Sequence, residues 1–215
     1  MNTYSHVDNK NKPLDLKLDK IFNEKREGVY IELGAYDGLF QSNTAFFEKY
    51  RGWRGVLVEP SYNLYLMCKR NRPQSACFNY ACVSEDYKKD YVEGDFLEGD
   101  PMMSVDGKRR NCNNLTKVRA LPLEKILDKT VIDREIDFLS LDAEGYEFNI
   151  LKGLNLKKYR PTHMLIEIYE TDYTTIVDYL KNFNYILHSN FTNYNPKDNP
   201  QWDGSHQDYL FSFMT

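Results

Sequence analysis

The sequence predicts a doubly wound, Rossmann-like α/β fold, and three observations carry that prediction. Short apolar, β-branched runs such as Val29–Leu33 and Val56–Val58 alternate with helical patterns along the chain, as expected of a mostly parallel sheet covered by helices on both faces. The first run feeds into a glycine turn, Gly34-Ala35-Tyr36-Asp37-Gly38, ahead of a helical pattern. An acid, Glu59, ends the second run about 25 residues beyond Gly34, where doubly wound folds place the partner of a ribose. A length of 215 residues suits a single domain with a sizeable core.

The turn also speaks to a ligand. A dinucleotide fingerprint needs a glycine two residues after the first, so that a pyrophosphate can approach the backbone. Here that position is Tyr36. The pattern is instead Glu32-x-Gly34-x-x-x-Gly38, with acids ahead of both glycines. Carboxylates repel phosphate and suit a cationic, amino-acid-bearing ligand; S-adenosylmethionine fits, with its sulfonium and ammonium groups. A turn that merely joins strand to helix is the alternative, and the motif alone does not decide between them.

Taken in order, residues 1–13 read as a disordered or loosely docked tail. Leu14, Leu18, Ile21 and Phe22 form an imperfect helical pattern before the first strand, Val29–Leu33. Ser42-Asn43-Thr44 opens a helix running to about Tyr50, with capping residue types at its start. The strand Val56–Val58 ends at Glu59-Pro60, and Ser61 caps a helix to about Asn71. Ala76–Val83 is a third strand candidate, whose end would lie beside an adenine ring. Residues 85–114 lose periodicity and are expected as an insertion or lid over the site, within a single domain spanning 14–215. Thr116–Leu127 reads as strand then helix, Ile136–Asp142 as a buried strand, and Phe148–Leu154 as a helix. Met164–Ile168 is a fifth parallel strand, Tyr173–Phe183 a helix, and Tyr185–His188 with Tyr209–Phe213 a closing pair.

Charge and cysteine usage bound the function. A net charge of −4 argues against general nucleic-acid binding. The local basic clusters Lys69, Arg70, Arg72 and Lys108, Arg109, Arg110 are expected as solvated faces. The four cysteines show no C-x-x-C pair, which suggests reduced thiols. The N-terminus has no apolar signal-peptide core, and no run approaches the ~20 apolar residues of a membrane span. The expectation is a cytoplasmic protein.

Together, Glu32-x-Gly34-x-x-x-Gly38, Gly52-Trp53-Arg54-Gly55 with Glu59-Pro60, Asn79-Tyr80-Ala81 and Asp142-Ala143-Glu144-Gly145-Tyr146-Glu147 give the chain a family likeness. From about Asp19 to Phe213 it resembles the FkbM-type S-adenosylmethionine-dependent methyltransferases. The resemblance implies a class I methyltransferase sheet of seven strands with an antiparallel last strand. It also implies O-methylation, with a sugar, sugar nucleotide or surface-glycan precursor as the expected acceptor. A non-sugar secondary metabolite is the alternative acceptor. A non-catalytic cofactor-binding partner of a glycosyltransferase is a third reading, and a homodimer is compatible with all three.

The expected cofactor site comprises Glu32, Gly34, Ala35, Tyr36, Asp37, Gly38, Ser42, Asn43, Glu59, Pro60, Ser61, Ala81, Cys82 and Asp142. A sugar hydroxyl is a very weak acid, so a positioned base should help. Asp142, ending the fourth parallel strand, is the first choice, with Glu167 and His188 in reserve. Ser104, Glu144, Tyr169 and His206 are candidate substrate contacts. Asp142, Glu144 and Glu167 have the hard oxygen chemistry of a Mg²⁺ site, but without a firm ligand pattern metal-independent transfer is expected.

Overall fold

The computed structural model describes residues 1–96, 105, 115–132 and 135–214. Its main sheet has seven strands. In chain order the protein's strands are β1 (Val29–Leu33), β2 (Arg54–Val58), β3 (Ala76–Phe78), β4 (Ala81–Val83), β5 (Tyr91–Gly94), β6 (Thr116–Pro122), β7 (Phe138–Leu141), β8 (His163–Tyr169), β9 (Tyr185–Asn190) and β10 (His206–Phe213). The main sheet runs β3-β2-β1-β7-β8-β10-β9. Neighbours from β3 to β8 are parallel, whereas β10 is antiparallel to both β8 and β9. The sheet thus has the expected seven strands and antiparallel last strand.

The helices are α1 (Leu14–Ile21), α2 (Tyr62–Asn71), α3 (Leu123–Leu127), α4 (Glu147–Lys152) and α5 (Tyr173–Lys181). Side chains alternate across a strand, and β1 shows how that builds two layers. Val29, Ile31 and Leu33 pack on one face with Leu123, Ile126, Ile150, Leu151, Ile176 and Leu180 from α3, α4 and α5. Tyr30 packs on the other with Leu14 and Leu18 of α1, Cys68 of α2, Phe46, Phe47 and Trp53. All five β1 residues are buried, which is why the strand reads as an apolar run with Glu32 its one charged member.

Three local expectations are corrected. Ala76–Val83 is not one strand: β3 stays on β2, while β4 turns away to pair with β6 in a small sheet ordered β4-β6-β5. The break lies at Asn79, whose Nδ2 donates to the carbonyls of Glu59 and Pro60 at 2.9 and 2.7 Å and ties the chain to the end of β2. The helix expected from Ser42 begins at Ala45, and its last turn, Phe47–Arg51, is π-wound before Gly52 stops it at φ 70°. Arg72 is not solvated; its side chain is fully buried.

Residues 1–13 are docked on the domain. Asp15 Oδ2 accepts the amides of Tyr4 and Ser5, Asn9 N–H donates to the Thr192 carbonyl, and Tyr194 Oη donates to the Val7 carbonyl. Ser5 also forms a β-bridge with Gln41. This segment therefore lies across the carboxyl ends of the strands.

Candidate active site

A cavity of about 830 Å³ opens at those strand ends. Leu33 and Gly34 at the end of β1, Val58 and Glu59 at the end of β2, Ala81 and Cys82 of β4, Asp142 beyond β7 and Glu167 of β8 line it. This is the position at which open α/β sheets bind ligands.

The glycine turn is held by its surroundings. Gly34 sits at φ +74°, and a Cβ there would lie 1.9 Å from the Asp142 carbonyl oxygen. The absence of a side chain lets β1 and β7 close together where the cavity begins. Tyr36 is also left-handed, at φ +49°. Its amide donates to Glu59 Oε2 at 2.9 Å, and Cys68 Sγ donates to its carbonyl at 2.8 Å. Asp37 Oδ1 accepts the amides of Leu39 and Phe40 at 2.8 and 2.7 Å.

The two motif acids divide the work differently from the sequence expectation. Glu32 is buried, and its carboxylate accepts Ser42 Oγ, Asn43 N–H and Thr44 Oγ1, with Arg72 Nη1 at 3.5 Å. Arg72 further binds Glu48, Thr44 Oγ1, Ser42 Oγ and the Gly38 carbonyl. Glu32, Ser42 and Asn43 therefore lock the turn to the helix behind it, rather than forming part of the cavity wall. No sequence pattern distinguishes Arg72 from its solvated neighbours, so this clamp was invisible before folding.

Glu59, by contrast, faces the cavity. Its Oε1 accepts Ser61 N–H at 2.7 Å while Oε2 accepts Tyr36 N–H. Burial pushes its carboxyl up to about 8, against the pull of those two amides. Its oxygens keep capacity for further hydrogen bonds toward the cavity.

Opposite stands an acidic group. One carboxylate oxygen from each of Asp142, Glu144 and Glu167 lies within 4.8 Å of the others. Glu144 and Gly145 both have positive φ, +52° and +92°. Glu147 Oε1 accepts the amides of Ala143 and Gly145 and fixes this loop. Tyr169 Oη donates to Glu144 Oε2 at 2.8 Å. His206 Nε2 lies 3.3 Å from Glu167 Oε1, and its ring packs against Tyr169 with centroids 5.3 Å apart. Burial, then the charges of Asp142 and Glu144, hold the Glu167 carboxyl well above the usual range.

Of the candidate residues, Gly34, Tyr36, Glu59, Pro60, Ala81, Cys82, Asp142, Glu144, Glu167 and His206 share the cavity. Tyr169 supports it through Glu144, and Ala35, Asp37, Gly38 and Ser61 shape its turns. His188 is exposed on edge strand β9 beside Ser189, away from the cavity, so its position does not support a role as base. Ser104 lies outside the described residues. The sequence reading missed His6, Tyr194 and Trp202, which line the outer cavity. They sit in polar segments with no periodic signal, and only the docking of those segments reveals them. Burial, then the neighbouring His206, lowers the His6 pKa.

The strand order, the cavity at the strand ends and the glycine turn define a class I S-adenosylmethionine-dependent methyltransferase. The sequence profile described as the methyltransferase FkbM domain matches residues 32–187. The chain belongs to this family. No curated relative matches it. Among solved structures, it is similar to the METTL16 methyltransferase domain at 10% identity and TM-score 0.53, covering 94% of this chain and 67% of that one. A precorrin-6y C5,15-methyltransferase from Geobacter metallireducens shares 8% identity at TM-score 0.50, with 92% and 87% covered. A methyltransferase from Geobacter sulfurreducens, in complex with S-adenosyl-L-homocysteine, shares 8% identity at TM-score 0.49, with 100% and 94% covered. At these identities the first two likenesses bear on fold alone.

Proposed function

We propose that the protein transfers the sulfonium methyl of S-adenosylmethionine to a hydroxyl of a sugar, sugar nucleotide or surface-glycan precursor. The observation that carries this reading is the gathering of Asp142, Glu144 and Glu167 on the wall beside Gly34. In this reading Glu59 receives the ribose hydroxyls, and the turn from Gly34 to Gly38 cradles the donor's amino-acid end. The sulfonium then faces Asp142. As the acceptor oxygen bonds to the methyl carbon, the sulfur–carbon bond breaks and S-adenosylhomocysteine leaves. The hydroxyl proton passes to Asp142. Holding donor and acceptor in line removes much of the barrier before any proton moves.

The sugar assignment draws on the outer cavity, where Tyr36, Tyr80, Tyr146, Tyr194 and Trp202 supply flat faces with polar edges. A non-sugar metabolite is favoured by the apolar wall of Phe40, Phe96 and Val105. We place the enzyme in the cytoplasm, where Cys68, Cys77 and Cys82 stay as free thiols. Among the described residues, no helix is long and apolar enough to cross a membrane. Glycan machinery would bring glycosyltransferases near it, as partners of the monomer or of a homodimer.

Calorimetric titration with S-adenosylmethionine, beside NAD, tests the donor. A screen of sugar nucleotides for a gain of one methyl mass tests the acceptor. Binding of the methyl donor alone, followed by methylation of a sugar nucleotide, is the expected outcome. Methylation confined to polyketide or lipid hydroxyls would reject the sugar reading, and no donor binding by folded protein would reject the whole.

A further inference from the structure

We propose that Asp142, Glu144 and Glu167 hold one hard divalent cation, of the Mg²⁺ or Mn²⁺ class, beside the transferring methyl. This deepens the methyltransferase reading above and rests on it for the role assigned to the ion. The three carboxylates present one oxygen each within 4.8 Å of one another. Oxygens on opposite sides of an ion bound at ~2.1–2.4 Å are themselves ~4–5 Å apart, so the trio can close on one ion without moving the strands that carry it.

A second observation points to a ligand independently of that spacing. Glu167 lines the cavity, its side chain is only 9% exposed, and its Oε2 is buried without a hydrogen-bond partner among the described residues. Such an atom ordinarily finds a partner. Its other oxygen is engaged by His206, which orients the carboxylate as outer-shell histidines and carboxylates orient metal ligands. Tyr169 does the same for Glu144.

The charge balance agrees. Around Glu167 stand the carboxyl groups of Asp142, Glu144, Glu147 and Asp208, with the His206 imidazole 3.3 Å from its Oε1. All-oxygen donors favour Mg²⁺, Mn²⁺ or Ca²⁺ over zinc. The protein supplies three ligand positions, leaving others for water and for an acceptor hydroxyl with a neighbouring oxygen. There the ion would make the hydroxyl easier to ionise. The proton goes to the Asp142 oxygen not on the ion, the oxygen–methyl bond forms and the sulfur–methyl bond breaks. The acceptor class is therefore narrowed to vicinal diols and hydroxy-carbonyl groups.

The test uses the full chain stripped with EDTA and titrated with Mn²⁺, reading free Mn²⁺ by its electron paramagnetic resonance signal, with and without S-adenosylhomocysteine. Wild type should take up one Mn²⁺ saturably. Glu167→Gln and Glu144→Gln should each weaken uptake about tenfold or more, with thermal melts confirming that both fold. S-adenosylhomocysteine affinity, measured in parallel, should stay near wild type. Wild-type protein that binds S-adenosylhomocysteine but not Mn²⁺ would overturn the ion site and leave the donor reading intact. So would uptake unchanged in both variants, or full transfer in EDTA. Saturable Mn²⁺ uptake without donor binding would instead reject the methyltransferase reading and keep the site.

Discussion

Replacing Glu59 by alanine tests two roles of one carboxylate. In the free protein it accepts two backbone amides, Tyr36 N–H at 2.9 Å and Ser61 N–H at 2.7 Å. Alanine leaves both donors without that partner. A buried donor stripped of its acceptor costs ~1–3 kcal/mol, and the adjoining cavity admits water, so the lower end applies to each. Tyr36 also loses the bond that helps hold its left-handed backbone. The expected loss of stability is about 2–3 kcal/mol. In the donor complex the same side chain binds ribose hydroxyls, and losing two such hydrogen bonds at ~1 kcal/mol each weakens S-adenosylhomocysteine by about 30-fold. Calorimetry reads the affinity and urea unfolding reads the stability. Glu59→Gln separates the two roles: it keeps one acceptor oxygen for the turn and puts an NH2 donor in place of the other, so affinity should fall more than stability. An affinity within about threefold of wild type in both variants, with the unfolding midpoint unchanged, would refute both assignments.

Gly34→Ala should abolish donor binding and destabilise the fold by more than about 3 kcal/mol, because its Cβ meets the Asp142 carbonyl at 1.9 Å with φ +74°; a melt near wild type refutes this. Arg72→Met should cost about 3–5 kcal/mol, since it strands Glu32 and Glu48 as buried acids without their guanidinium; urea titration measures it. The free protein should be more stable at pH 6 than at pH 8. Burial holds Glu59 near 8 and Asp208 near 6, above ordinary carboxyls, so the folded state binds more protons than the unfolded one. Stability then falls as pH rises through those values, and denaturant midpoints at the two pH values check the sign. Trp202→Ala should raise the acceptor KM while donor affinity holds, because Trp202 lines the cavity on the late loop before β10; steady-state kinetics with saturating donor decide it.

The central strands were legible because each is buried on both faces and so forms a mostly apolar run, as Val29–Leu33 and Phe138–Leu141 do with Glu32 and Ser140 as their polar members. Glu59 and Asp142 were legible because strand ends in such a sheet have fixed places around the switch point. Glu32 was not, since the same acid could face a ligand or cap a helix. Only the convergence of Ser42, Thr44 and Arg72 on its carboxylate gives its structural setting. The division of Ala76–Val83 was hidden because both halves are strand-like, and the side chain of Asn79 ties down the break. The covering of the cavity by His6 and Val7 depends on contacts with residues near Tyr194, far away in sequence.

The placement of β10 between β8 and β9 has a consequence for the nascent chain. While the ribosome still holds β10, β9 has no neighbour in the sheet and β8 presents a bare hydrogen-bonding edge. The half of the sheet that carries Glu167 is therefore completed only once β10 is free of the exit tunnel. Protease digestion of chains stalled before β10 emerges should find the β1–β8 portion open along that edge, and chains stalled after it closed.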